Sequence, residues 1–315
     1  MPLKHAFTCA IADDSADAAA GKVVPSNWNA DHTVLNGVDF PAESPAQPSA
    51  DNMRLYGKKL ASRMMAGFKS SLEVDQLLQT YVGDGQTSLW LANNGTTSLT
   101  TIAASTPTTA GTATNGNIAL TSKVQSINAV EFLVTTASTT AVASFRYTAT
   151  QWVRGNTVGG GFFFHMRCAP ATGASNTSMR YFMGMRQATA APTDVEPSTT
   201  VHCIGFGWDS ADANCQIFTN DGTGTATKTD LGASWAVPVT DRAAMYDLFI
   251  FAPPNNSNVY VTVIDLADGK TYSNSFSADI PPQTTYLTPT SYASVGGVSS
   301  VVGIRFASCF IEALT

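Results

Sequence analysis

The stretch "MYDLFIFAPPNNSNVYVTVIDLADGKTY", Met245 to Tyr272, decides the fold. Two apolar runs, YDLFIFA and VYVTVID, flank Pro253-Pro254-Asn255-Asn256, and an Asp-Gly pair at 268–269 follows the second run. Pro and Asn punctuate the backbone, and Asp-Gly suits the positive φ angles of a tight turn. The stretch therefore reads as two strands joined by a loop, with a further turn after the second.

The same grammar extends in both directions. "GGGFFFHMRCA" and "MRYFMGMRQ" are strand-like runs, and "HCIGFGWDS" with "NCQIFTNDGTGTATKTDLG" reads as a strand pair with Gly-rich turns. "VVGIRFASCFIEAL" is a buried strand near the end. Apolar runs of this length, spaced by turn signals and with no helical period between them, indicate a double-layer antiparallel sandwich. The expected class is all-β, a jelly-roll or lectin-like β-sandwich over residues 83–315, preceded by an extended N-terminal arm. The Thr/Ala/Gly-rich stretch 94–116 reads as a loose loop or a sheet edge. No repeat of fixed period is present, which argues against a β-helix spike, a solenoid or a propeller.

Residues 1–52 differ. Pro25, Pro41, Pro45 and Pro48 favour extended backbone, and "PAESPAQPSADN" has no periodic apolar pattern. Within this section "KVVPSNWNADHTV" holds a lone Trp28. Residues 53–82 form a basic connector with Arg54, Lys58, Lys59, Arg63 and Lys69. Those cations read either as a solvated face or as a contact with acidic partners. "LEVDQLLQTYV" partly suits a short helix.

Composition narrows the function classes. Charged residues make up 13% of the 315, about half the usual share, and Gly, Ser, Thr, Ala and Asn fill the gap. The net charge of −6 offers no electrostatic footprint for nucleic acid. No apolar run approaches the length of a membrane span, so membrane insertion is not expected. "MPLKHAFTCAIADDSADAAA" has one Lys and soon meets Asp13-Asp14, which makes a poor signal peptide. Five cysteines, Cys9, Cys168, Cys203, Cys215 and Cys309, form no C-x-x-C pair. Four of them sit in strand-like runs and read as buried thiols made in a reducing cytosol. His165 and His202 lie near cysteines in sequence, but neighbours along a strand point to opposite faces.

Asp209, Asp212, Asp221 and Asp230 cluster in "GWDSADANCQIFTNDGTGTATKTD". A glycosidase needs two carboxylates across a cleft, yet turn aspartates that bond their own backbone are commoner. "DSADAN" hints at a calcium loop but lacks the Gly and Glu of an EF-hand. Trp208 and Trp235 suit either a sugar-stacking platform or a core. "GNTVGGG" at 155–161 precedes a strand rather than a helix, so a nucleotide reading lacks its context. No catalytic residue, metal ligand or cofactor is assigned, and the protein is read as a non-enzyme.

At the level of residues the chain resembles a family of bacteriophage and prophage tail proteins. "VPSNWNADHTV" is similar to a short motif near the start of such proteins. "MRLYGKKLASRMMAGFKSSLEVDQLLQ", the long block from "RYFMGMRQ" through "TNDGTG", and "YDLFIFAPPNNSNVYVTVIDLADG" continue the likeness in order. The chain departs from the pattern in residues 53–82, where it is more basic and has a different sequence after "MAGF". The resemblance implies a virion structural protein assembled in the host cytoplasm, tail-fibre-like or tail-associated, and a homotrimer. It implies that the arm docks on other virion proteins of the tail or collar, or of the capsid. Trp28 would then be the anchor, with Asn29, Asp31 and His32 setting register through hydrogen bonds; the alternative has Trp28 packed on its own sandwich. The sandwich would recognise a host surface glycan or protein, with Trp208, Asp209, Asp212 and Asn214 as rim candidates, since loops at one end of a sandwich carry recognition. Two other readings stand beside this one. The first is a capsid decoration, head-fibre or collar protein without receptor binding. The second is a polysaccharide depolymerase, disfavoured by the missing β-helix repeat.

Overall fold

The computed structural model describes residues 53–70, 75–77, 87–116, 120 and 122–314. The arm at 1–52, with Trp28, Asn29, Asp31 and His32, lies outside the described residues, as does Cys9. The chain divides into two compact units, Met1–Lys58 with Met64–Leu78, and Lys59–Arg63 with Gln79–Thr315.

The first three strands are β1 (Met53–Leu60), β2 (Arg63–Ser70) and β3 (Asp75–Leu77), which form one three-stranded sheet in that order. Ala61 and Ser62, both at positive φ (44° and 62°), make the turn between β1 and β2, the geometry of a two-residue hairpin. The helix expected in "LEVDQLLQTYV" is not what forms at its described positions. Asp75–Leu77 is a strand, with Gly67 opposite Leu77 and Lys69 opposite Asp75. Pairing with β2 satisfies backbone groups that a single turn of weakly amphipathic helix would leave open. Within the second unit, Arg63 pairs with Glu312, and its guanidinium lies 4.7 Å from the centre of the Phe163 ring.

The remaining strands follow in chain order: β4 (Thr87–Ala92), β5 (Leu99–Ile102), β6 (Thr108–Ala110), β7 (Thr112–Gly116), β8 (Ala129–Ser138), β9 (Val142–Arg146), β10 (Phe162–Thr172) and β11 (Arg180–Arg186). Then come β12 (Cys203–Trp208), β13 (Gln216–Asn220), β14 (Thr227–Asp230), β15 (Tyr246–Ala252), β16 (Val259–Asp265), β17 (Thr271–Phe276), β18 (Thr288–Ser294) and β19 (Ser300–Ala313). One sheet runs β17-β16-β15-β10-β19-β4-β5, with β8 also on β19 and β7 on β8; the other runs β14-β13-β12-β11-β18-β9-β6. The pairs are antiparallel throughout. The protein is therefore an all-β antiparallel sandwich, as the strand spacing indicates.

Side-chain alternation explains why two layers form. Phe162, Phe164 and Met166 of β10 and Leu248 and Ile250 of β15 face one core, joined from the other sheet by Met183 and Met185 of β11 and Ile204 and Phe206 of β12. Each set recurs at every second residue, so each strand offers one apolar face. The layers meet directly: Phe145 of β9 stacks on Phe306 of β19 at 4.2 Å, and Phe206 lies 4.7 Å from Tyr246 of β15. On the outer face of the second sheet, Phe182, Phe218, Cys203 and Tyr292 form a smaller cluster.

The stretch Met245–Tyr272 folds as its punctuation indicates. β15 and β16 pair with Phe251 opposite Tyr260 and Tyr246 opposite Asp265. Asn255 takes φ 54° in the loop between them. Gly269, at φ 81°, donates its N–H to Asp265 O at 2.8 Å in the next turn. In the Thr-rich stretch, β5 and β6 each end a sheet, and β7 pairs with β8 alone. Threonines with one side in solvent suit an edge. The four described cysteines are free and buried. Burial pushes the Cys168 thiol up to about 11 and the Cys215 thiol up to about 12.

Candidate functional site

The rim candidates do not converge on open space. Trp208 is 1% exposed, and its indole N–H donates to Met179 O at 3.0 Å while its ring packs 5.0 Å from Tyr181. It is a core residue, because it shares the inward parity of Ile204 and Phe206 on β12. Trp235 is also buried, with Phe206 6.4 Å away and the Lys270 ammonium 5.0 Å over its ring. Lys228 Nζ donates to Asp212 Oδ1 at 2.6 Å and Asp209 Oδ2 at 3.2 Å, so the cation between these carboxylates is the chain's own ammonium. Asp209 also accepts from Ser198 N, and Asn214 donates to both oxygens of Asp230. These side chains shape their own loops, which is why aspartates cluster there. Among the described residues no group of three or more His, Cys, Asp or Glu is arranged to hold a metal ion.

A second polar group sits on the outer face of the first sheet. The buried Asp247 carboxylate of β15 accepts from His165 Nε2 at 2.9 Å and takes a two-pronged hydrogen bond from Arg167, at 2.7 Å and 2.7 Å. His165 and Arg167 are alternate residues of β10, so both reach one neighbour across the ladder. Cys168, by contrast, belongs to the core cluster. Burial alone would push the Asp247 carboxyl up, but the His165 charge and the Arg167 hydrogen bonds outweigh it and hold it well below the usual carboxylate range. A depressed folded-state pKa stabilises the fold above the unfolded value of about 3.9, and that contribution fades as pH falls below it. The urea midpoint gap between the native chain and Asp247→Asn is therefore expected to be wide at pH 7 and to narrow steadily below about pH 4. A gap that stays constant down to about pH 2 would show that the carboxylate's charge is not the source.

An open groove of the second unit lies elsewhere, at "GNTVGGG". Asn156 N donates to Gly159 O at 2.9 Å and Gly159 N returns to Asn156 O at 3.2 Å, so Thr157 and Val158 cap a narrow hairpin. Gly155 and Gly160 sit at φ 78° and 99°, and a Cβ on Gly155 would lie 2.4 Å from Gly159 O. Only glycine lets the two arms approach so closely. Gly155 N donates to Gln283 O at 3.0 Å, and Trp152 exchanges backbone hydrogen bonds with Leu287. These bonds hold the 283–286 turn beside the glycine hairpin.

Between the two lies a groove of about 440 Å³, lined among others by Gln151, Asn156, Val158, Gln283 and Tyr286, with Trp152 beneath. Tyr286 is 54% exposed and Val158 93% exposed. The Trp152 ring is buried against Tyr147 at 5.8 Å and Trp90 at 6.4 Å. Arg154, between lining residues, turns inward, and its guanidinium donates to Pro281 O, Asn256 O and Ser257 O at 2.7, 3.1 and 3.1 Å. Burial lowers its pKa. It ties three loops together under the groove and puts no charge into it. A groove of this volume falls in the range of ligand sites. The glycine cluster is visible in the sequence, but its partner turn is not: nothing local marks "QTTY" as the opposite wall.

No protein-family model matches the chain, and no curated protein matches it. Solved structures with a similar trace include lectin II from Ulex europaeus, at 12% identity over 66% of this chain and 93% of that one, with a TM-score of 0.42. Arcelin-5, a lectin-like defense protein from Phaseolus vulgaris, is 8% identical over 73% and 99%, with a TM-score of 0.46. A family 7 alginate lyase, A1-II′, in complex with product is 11% identical over 73% and 96%, with a TM-score of 0.37. These likenesses concern the fold, and no residue role is carried over from them.

Proposed function

We propose that the protein is a structural protein of a bacteriophage virion, tail-associated, and that its β-sandwich recognises the host surface at the groove between the glycine hairpin and the 283–286 turn. The residue-level resemblance supports the virion role. The observation that carries recognition is the groove itself, lined by exposed Tyr286 and Val158 together with glycine backbone and buried Trp152. A preformed site with exposed aromatic surface binds at little conformational cost. In this reading Trp28 anchors the arm on a neighbouring virion protein, with Asn29, Asp31 and His32 fixing its register, and the protein acts as a homotrimer.

The test is adhesion of the labelled full chain to intact bacterial cells across a strain panel. Saturable binding to some strains, weakened at least tenfold by Tyr286→Ala at unchanged Tm, is the expected result. Binding that ignores Tyr286→Ala would move recognition away from this groove. Particle assembly with a chain lacking residues 1–40 tests the arm: normal incorporation would end the anchor reading.

A further inference from the structure

We infer that the ligand of this groove is an internal segment of a neutral polysaccharide; the inference rests on the groove being the recognition site. The residues that line it include no Asp, Glu, Lys, Arg or His. On a chain of net charge −6 this is an uncharged window. An anionic chain would find no cation there, since Arg154 is turned inward and held by three carbonyls. A cationic ligand would find no carboxylate. The groove instead offers donors and acceptors in pairs. The side chains of Gln151 and Gln283 make no hydrogen bond with other described residues, and both residues line the groove. Each presents an acceptor oxygen and two N–H donors, a set that matches adjacent hydroxyls. Tyr286 adds an exposed ring whose face can cover the C–H side of a sugar while its hydroxyl stays wet.

A protein ligand fits the same wall less well. Its affinity would rest on a few side chains filling desolvated pockets, within an interface of about 800 Å² a side. Gly155, Gly159, Gly160 and Gly161 line this groove with backbone and offer a protein ligand no side chain to pack against. Val158 and Thr284 of the groove lining are exposed, which leaves room for a polymer to run on past the site.

The experiment uses the full chain and a strain to which it adheres. Cells are treated with periodate, which cleaves vicinal diols, or with proteinase K, and adhesion is measured from low salt to 0.5 M NaCl. In parallel the chain is titrated with dextran and mannan as neutral polymers, and with alginate and hyaluronate as anionic ones. Expected are loss of adhesion after periodate, retention after proteinase K, and little salt dependence, because no ion pair is formed. At least one neutral polymer is expected to compete while the anionic ones do not. Gln283→Ala and Tyr286→Ala should each weaken adhesion about tenfold, and Tyr286→Phe should keep most of it. Adhesion that survives periodate, disappears with proteinase K and still depends on Tyr286 would overturn the polysaccharide assignment while leaving the groove as the receptor site. Competition by the anionic polymers alone would likewise overturn it. Adhesion to no strain, or adhesion indifferent to Tyr286→Ala, would sink the recognition reading itself.

Discussion

Phe306→Ala is expected to lower the unfolding free energy by about 3–5 kcal/mol, the range for deleting a fully buried aromatic ring. Phe306 has no exposed surface and stacks on Phe145 from the opposite layer, at 4.2 Å with 17° between ring planes. It reaches that partner because of an irregularity in its strand. In β19, Ile311 and Cys309 face the core at odd positions, whereas Phe306, Ile304 and Val302 face it at even ones. The change of parity falls where the register against β10 shifts, between Arg167 and Cys168, leaving Ala307 unpaired. A β-bulge of this kind inserts one residue and reverses which side chains point inward. Removing the ring opens a cavity between two sheets whose strands are locked by pairing on both sides, so the gap cannot close by a small shift. Guanidinium denaturation at neutral pH measures the effect. A loss below about 1 kcal/mol would mean that the layers close over the gap, and the inter-layer stack would then not be a main source of stability.

Glu131→Gln is expected to cost a similar amount, about 3–5 kcal/mol, for an electrostatic reason. Glu131 of β8 is 2% exposed and accepts a two-pronged hydrogen bond from Arg242, at 2.7 and 2.6 Å. Arg305 of β19, 1% exposed, has its Nε 3.8 Å from the same carboxylate, and its terminal nitrogens donate to Val124 O, Gln125 O and Ile127 O. One anion thus faces two cations. Gln keeps the shape but removes the charge, and Arg305 is left with only carbonyl dipoles for compensation. The Arg242 side chain is 40% exposed, so water screens its share of the attraction. Arg305 has no such relief. The prediction is therefore asymmetric: Arg242→Gln should cost clearly less than Glu131→Gln, and the Glu131→Gln loss should persist at 1 M salt, because buried charges are weakly screened. Equal losses for the two variants would place the effect in the Arg242 hydrogen bonds rather than in the burial of Arg305.

The two kinds of charged cluster show how far the sequence could be read. Aspartates in "GWDSADAN" stand out because they are adjacent in the chain, and adjacency marks turns. Glu131, Arg242 and Arg305 stand out nowhere in the sequence, since each lies in an ordinary run or loop far from the others. Nearness to loops at one end of the sandwich makes Trp208 a rim candidate. Its neighbours Ile204 and Phe206 already indicate the inward parity, and that period-2 signal outweighs nearness to a turn. The groove shows a similar split. "GNTVGGG" announces a tight backbone, yet the groove beside it also needs Tyr286 and Gln283, brought alongside by the Gly155–Gln283 and Trp152–Leu287 backbone bonds.

What the sequence by itself determined is the class: strands, turns and apolar faces follow from backbone sterics and a two-residue period, which act between neighbours in the chain. The Pro-Pro-Asn-Asn loop, the Asp-Gly turn and the edge character of the Thr-rich stretch all belong here. Tertiary structure alone decided the order of strands in the two sheets, the bulge that turns Phe306 onto Phe145, the partners of Glu131, and the meeting of two distant loops in an uncharged groove. Those depend on which strand pairs with which. Pairing is set by the summed burial of whole faces rather than by any local residue, so no short stretch of the chain contains it.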